Sequence, residues 1–159
     1  MSEALQVPEQ LYCVLLALRD DTLVLPNALI AEALAQDSLE SQAEGGARWL
    51  AGQVNWRNQR LKAVNFETLN GGLAAPLSRR SRMVVLHALG ERPEDKPYAL
   101  VCQGYPHLVT LSRVALAPLP LRESDRPEYV LSRVRIGNSE ALIPDLDRIA
   151  ELIRETAGA

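Results

Sequence analysis

Histidine and cysteine are scarce in this 159-residue chain, which has two of each: Cys13, Cys102, His87 and His107. None forms a Cys-x-x-Cys or His-x-x-x-His pair. Zinc needs about four ligands at close spacing, so no metal site is expected within the chain. Both cysteines lie in apolar runs, where the residue acts as a small buried hydrophobe, and the absence of a disulfide framework fits a reducing compartment. Aromatics are also few: one Phe, two Trp and four Tyr. With a formal charge of −3, this leaves little for stacking or neutralising nucleic acid. No apolar run approaches the roughly 18 residues of a membrane span. The opening stretch MSEALQVPEQ carries acids and no basic segment, so no secretory signal is expected. These absences together predict a cytoplasmic protein without direct membrane insertion and without a cofactor.

What is present supports a real core. Apolar residues make up 47% of the chain. At about 150 residues per domain, the length suits one domain or two small subdomains sharing an interior. Charge is uneven. Residues 1–50 hold eight acids and two bases, whereas 57–82 hold Arg57, Arg60, Lys62, Arg79, Arg80 and Arg82 against the single acid Glu67. Opposed charged faces can steer protein–protein docking. The plainer alternative is charge covering solvated loops, which is also the first reading of Arg79, Arg80 and Arg82.

Short apolar runs alternate with turn residues along the chain. Residues 12–18 read as a strand with both faces covered, 19–22 as a turn and 23–25 as its return. Residues 27–35 are ambiguous, because their apolar spacing fits a helix face or one side of a strand. Residues 36–46 read as a polar loop. Residues 49–55 and 60–66 read as strands across a turn at 56–59, with Val54, Leu61 and Val64 in the core. A helical turn at 67–69 ends at Asn70-Gly71-Gly72, and 73–81 read as a linker. Further strands are expected at 82–89, 98–103, 107–112, 129–136 and 140–143, with a charged loop at 90–97. A terminal helix starts at Pro144 with the apolar stripe Leu146, Ile149, Ala150 and Ile153, and ends at Gly158. About ten strands with Gly/Pro turns and one helix predict an all-β fold of two small barrels packed together. No close sequence repeat relates the halves.

The stretches LVLPNALIAEAL and WLAGQVNWRNQRLKAVNFETLNGG resemble the CheW-like domain of bacterial chemosensory adaptors. The matching positions are Leu25-Pro26, Ile30, Glu32, Trp49-Leu50, Gly52, Val54, Asn55, Trp56, Arg57, Leu61, Val64 and Phe66. The downstream runs RMVVLHALG, YALVCQGYPHLVTLS and PDLDRIAELI resemble the second barrel and terminal helix of that family. The run PYALVCQGYPHLVTL is most similar to ChpC-type adaptors of type IV pilus chemosensory systems. The resemblance implies two five-stranded SH3-like barrels around a shared core, in a single domain spanning 8–156. The first subdomain would cover about 23–81 and the second about 82–143, with strand 11–18 and helix 144–156 completing the pair. It also implies that 31–35 are a strand. The family's Arg-Gly step is Arg57-Asn58 here, and its next Pro and Asp are Ala63 and Asn65.

The family implication is an adaptor without catalysis. It would couple the hairpin tip of a methyl-accepting chemoreceptor to the regulatory domain of a CheA-type histidine kinase, here in twitching-motility control. The partner-binding residues it implies are Glu32, Asn55, Trp56, Arg57, Asn58 and Arg60. Glu32 and Arg57 would orient the contact surface or form a plain surface ion pair. Asn55 would satisfy turn backbone or meet a partner. Trp56 would be an exposed anchor or fold back onto its barrel. Two other classes compete. A small barrel could bind oligonucleotides, given exposed aromatics on a basic strand face. Cys13 or Cys102 with His87 or His107 could form a nucleophile–base pair, although no catalytic signature surrounds them. Otherwise each histidine is a satisfied strand residue.

Overall fold

The computed structural model describes residues 10–41, 46–88 and 96–157. Among these described residues twelve strands and two α-helices follow one another. The first strands are β1 (Gln10–Ala17), β2 (Thr22–Pro26), β3 (Ile30–Ala35), β4 (Leu39–Ser41), β5 (Leu50–Trp56) and β6 (Gln59–Val64). Helix α1 (Phe66–Leu69) precedes β7 (Arg82–Leu86), β8 (Tyr98–Cys102), β9 (His107–Ser112) and β10 (Leu116–Leu119). The chain closes with β11 (Val130–Ile136), β12 (Ser139–Pro144) and α2 (Leu146–Ala157).

The strands form two curled sheets, in the orders β3-β7-β8-β6-β5-β4 and β10-β11-β12-β2-β1-β9. The expected barrels had five strands each, and each sheet here has six. The extra one has a simple origin. In both sheets the two edge strands are consecutive pieces of chain joined by a single 3-10 turn, Gln36–Ser38 between β3 and β4 and Arg113–Ala115 between β9 and β10. One strand bends at a corner and pairs with a different neighbour on each arm, β7 then β5 in the first sheet and β1 then β11 in the second. Counting each bent strand once restores five.

The sheets do not divide at the 73–81 linker. Strands β1 and β2 belong to the second sheet, and β7 and β8 to the first. Each half of the chain therefore gives a hairpin to the other half's barrel. The exchange is symmetric: β2 lies parallel to β12 through Leu23 and Leu142, and β8 lies parallel to β6 through Ala99 and Ala63. Trp56 and Ile136 end equivalent strands, and Phe66 and Leu146 open equivalent helices. A duplicated architecture is thus present where the sequence shows no repeat.

Three apolar clusters follow from this. The largest is shared between the sheets and includes Val14, Leu16, Leu23, Val64, Phe66, Leu86, Leu100 and Ile149. Smaller ones fill the inside of the first barrel (Val54, Trp56, Leu61, Met83 and Val85) and of the second (Cys13, Val24, Leu111 and Val134). A fully buried side chain of this kind contributes about 1.5–3 kcal/mol.

Several local expectations change. Residues 27–35 divide into a 3-10 turn at Asn27–Leu29 and the strand β3. Leu39–Ser41, read as loop, form β4 on β5. Tyr12 is 67% exposed, so β1 is not covered on both faces at its start. Pro144 ends β12 rather than opening a helix, and Asp145 caps α2 by accepting a 3.0 Å hydrogen bond from the Arg148 N–H. The predicted stripe on α2 is inward: Leu146 and Ile149 are buried, and Ala150 and Ile153 pack against the shared core. The expectations at 42–45, 89–95 and Gly158 lie outside the described residues.

Candidate functional site

The β5–β6 hairpin forms because alternation buries Val54, Trp56, Leu61 and Ala63 on the inner face. Its turn residues Arg57 and Asn58 both have left-handed backbone, with φ of 47° and 62°. That pair of dihedrals belongs to the type I′ turn that suits the twist of a two-residue hairpin. Asn accepts this conformation readily, whereas Arg adopts it at a cost.

Trp56 is 7% exposed and joins the first barrel's core, so it folds back onto the barrel and is not an exposed anchor. Burial of an indole requires a partner for its N–H. Glu32 on β3 supplies it, accepting a 3.0 Å hydrogen bond from Trp56 Nε1. The Arg57 guanidinium carbon lies 4.5 Å from the ring centroid, at cation–π distance. Among the described residues no ion pair joins Glu32 to Arg57; the indole stands between the two roles, bonded at its edge and capped on its face. The result is a plugged barrel end whose outer surface is Glu32, Asn55, Arg57, Asn58 and Arg60, all exposed.

Asn55 stands opposite Arg60 across the hairpin. Its side chain makes no hydrogen bond among the described residues, so it does not satisfy turn backbone and is available to a partner. Arg60 is held differently. Its Nε donates to Gln53 Oε1 at 2.7 Å and its Nη2 to Glu40 Oε2 at 2.6 Å. The Arg60 guanidinium in turn lowers the Glu40 carboxyl below the usual carboxylate range. Five of the six residues read from the sequence thus lie on one hairpin, with only Trp56 turned inward, and the sixth, Glu32 on β3, reaches it through the indole hydrogen bond.

The equivalent tip of the second barrel is built differently. Ile136 takes the place of Trp56, and Gly137, with φ of 61°, takes that of Arg57. Arg135 and Glu140 stand opposite each other beside it, and among the described residues the stacking of an arginine on a tryptophan is found at the first tip.

A second surface is missed by the sequence reading. Tyr12 and Leu108 (67% and 66% exposed) are neighbours on the β1–β9 face that also carries Val14 into the shared core. This leaves apolar surface in water where the two sheets meet. Exposed Tyr105 lies nearby in sequence, with the Arg82 guanidinium 4.2 Å from its ring centroid. Arg82 also donates to the Arg79 and Ser81 carbonyls, so this arginine is part of a folded corner and not a solvated loop. A hint existed in the sequence, since Tyr12 is a bulky residue at the outer end of an apolar strand.

Two other charged sites are structural. Arg133 and Asp125 are buried, with side chains 2% and 1% exposed. Arg133 Nε and Nη2 donate to the two Asp125 oxygens at 2.6 and 2.8 Å. Asn70 Nδ2 and the Arg122 N–H donate to the same carboxylate. Hydrogen bonding from Arg133 holds Asp125 well below the usual carboxylate range. Glu67 accepts from the backbone N–H of Arg19 and Asp20, yet burial raises its carboxyl overall.

The thiol–imidazole alternative has no geometry behind it. Cys13 and Cys102 are buried, and burial pushes both thiols up, away from the reactive thiolate. His87 and His107 are exposed; His107 opens β9 as the strand reading expected, whereas His87 lies one residue past β7. Among the described residues no helix is long and apolar enough to cross a membrane.

The comparisons agree with this architecture. No curated protein sequence matches the chain. The fold is similar to that of the scaffolding protein TtCheW from Thermoanaerobacter tengcongensis, a crystal structure with a TM-score of 0.68 at 13% identity. That likeness covers 85% of this chain and 88% of the other. Residues 12–154 match the CheW-like domain family, and the chain belongs to that family.

Proposed function

We propose that this chain couples a methyl-accepting chemoreceptor to a CheA-type histidine kinase through its outer surfaces, as a cytoplasmic ChpC-type adaptor in type IV pilus and twitching-motility control. CheW-like domains are non-enzymatic scaffolds of chemosensory signalling, and this chain is one of them. The observation that carries the rest is the plugged barrel end. Glu32, Trp56 and Arg57 lock one hairpin in place, and Asn55, Asn58 and Arg60 stand exposed around it. An exposed charged tip suits docking to a partner surface. The kinase regulatory domain is the partner assigned to it. The apolar Tyr12–Leu108 face suits the helical hairpin tip of the receptor, because helices dock by apolar anchors in a groove.

The test is titration of the purified chain with a kinase regulatory domain and with a receptor tip fragment. Binding to both is expected. Arg57→Glu is expected to weaken the kinase complex about tenfold with thermal stability retained, since charge reversal at an interface leaves the fold alone. Absence of either complex sinks the adaptor reading, and unchanged kinase affinity in Arg57→Glu removes the hairpin from the site. Loss of twitching without loss of pilus assembly in a deletion strain is the expected cellular result; normal twitching refutes the pilus assignment.

A further inference from the structure

The two halves of the chain correspond closely around their helices. The Trp49 carbonyl accepts a 2.7 Å hydrogen bond from the Asn65 N–H, and the Tyr129 carbonyl a 2.8 Å bond from the Asp145 N–H. Each bond ties the residue before a strand to the residue before a helix, β5 with α1 and β11 with α2. Trp49 therefore corresponds to Tyr129, Arg48 to Glu128 and Thr68 to Arg148. In the second half the charges answer one another. Arg148 lies 5.7 Å from the centroid of the Tyr129 ring and within 4.0 Å of Glu128, Glu151 and Glu155. In the first half Arg48 stands in the acid's place and Thr68 in the arginine's.

A second arginine enters from the other barrel. Asn70 Oδ1 accepts from the Arg126 N–H at 2.7 Å and its Nδ2 donates to Asp125 at 3.0 Å, which fixes the loop carrying Arg126 against the end of α1. A Cβ on Gly71 would stand 3.1 Å from Arg126 Nε and 3.4 Å from Nη2, so the guanidinium lies across a glycine that leaves it room. Arg48, Trp49, Thr68, Arg126 and Tyr129 line one open cavity of about 290 Å³ at the seam. Both arginines are exposed, and among the described residues neither side chain forms an ion pair and no acidic side chain lines the cavity. The carbonyls that end α1 are already satisfied, because the Gly71 N–H donates to Thr68 O and the Gly72 N–H to Glu67 O.

Two guanidinium groups and a hydroxyl, with no carboxylate to balance them, are the complement of an oxyanion. We propose that the seam cavity binds a phosphate monoester, whose oxygens take hydrogen bonds from Arg48, Arg126 and the Thr68 hydroxyl while its organic group rests on Trp49. A phosphate ester carries nearly two charges and three acceptor oxygens, so it answers both arginines at once, which a single carboxylate does not. The site is independent of the kinase-and-receptor reading, because it shares no residue with the β5–β6 tip or with the Tyr12–Leu108 face.

The experiment is calorimetric titration of the full chain with phenyl phosphate and with a phosphoserine peptide. Benzoate, which keeps the ring and exchanges phosphate for carboxylate, and the unphosphorylated peptide serve as comparison probes. Saturable binding of a phosphate ester is expected, weakened by added salt as screening requires. Tighter binding of the phosphopeptide assigns the ester to a partner protein and tighter binding of phenyl phosphate assigns it to a small molecule; either result upholds the site. Arg48→Gln and Arg126→Gln are each expected to reduce affinity about tenfold, and Thr68→Val about threefold. Arg135→Gln on the other barrel is expected to leave it unchanged. Should Arg126→Gln fail to fold, Arg48→Gln decides alone. Arg57→Glu is expected to spare phosphate binding while it weakens the kinase complex, which separates the two assignments. The proposal is overturned by absence of saturable binding for both esters, by equal affinity for benzoate or for the unphosphorylated peptide, or by full affinity in Arg48→Gln.

Discussion

Replacing Asp125 by asparagine should destabilise this protein more than any other change of one charge. The substitution keeps the shape and removes the charge facing Arg133. That guanidinium is 2% exposed and takes both oxygens of Asp125 at 2.6 and 2.8 Å. What remains is Asp21 at 3.2 Å, itself partly exposed, and Glu140 at 3.8 Å. Breaking a buried pair by removing one partner costs about 3–5 kcal/mol, because the surviving charge stays in low dielectric. Asp21 offsets part of this, so about 3 kcal/mol is expected. For a domain of this size each kcal/mol moves the midpoint by about 2–4 °C, which predicts a fall of about 10 °C by calorimetry. The double variant Asp125→Leu, Arg133→Met should recover part of the loss, since it leaves no buried guanidinium unpaired but strips Asn70 Nδ2 and the Arg122 N–H of their acceptor. The pH profile follows with a definite sign. A carboxyl held below its unfolded value stabilises the fold at neutral pH, and that stability is lost as pH falls through the folded pKa. Asp125→Asn should therefore flatten the acid limb of the stability curve. A midpoint within about 2 °C of the parent, or an unchanged acid limb, would refute the reasoning.

Other perturbations test other parts of the structure. Trp56→Ala should cost about 3–5 kcal/mol in chemical denaturation, because it unplugs the first barrel. Trp56→Phe should cost less, since it removes the N–H to the exposed Glu32 and part of the ring volume; equal losses would mean that the ring volume is irrelevant. Gly52→Ala should destabilise by about 2–4 kcal/mol, as a Cβ there would stand 2.0 Å from the Glu40 carbonyl oxygen and push β4 off β5. A neutral result by thermal melting would contradict the β4–β5 register. Both thiols should resist a disulfide reagent at neutral pH until the protein opens, and fast labelling of Cys102 in the native state would contradict its burial.

Much of the fold was legible because alternation and turn chemistry agree along most of the chain. The β5–β6 hairpin, the inward stripe of α2 and the burial of Val54, Leu61 and Val64 follow from period and punctuation alone. The same rule carried a hint for Trp56. It lies two residues after Val54 on one strand, so the alternation that buries one buries the other. Polar neighbours at the turn obscured this. The bent strands were hidden for a different reason: β4 is three residues long and β10 four, too short to show a period. Arg133 gave no warning. It sits just past an irregular register between Val130 and Ser132, which changes the face that each following side chain meets. Strand exchange was illegible in principle, since periodicity reports which face is buried and not which strand lies beside it. The candidate residues came from family resemblance and the placement of Asn55–Arg60 on one hairpin from punctuation, whereas the bond that brings Glu32 to Trp56 came from the structure.

The swapped hairpins leave neither barrel able to exist without the other. A chain cut at residue 72 would hold two arms of one cage and a single hairpin of the next, each missing its neighbours. Folding must then be all-or-none across the whole molecule, and gradual shortening by evolution from either end is barred. A ligand seated on one lobe also strengthens the far lobe, because the strands it clamps are tethered through the common interior to those opposite. For a scaffold of chemosensory signalling, that interlock makes a stiff spacer in place of a hinge.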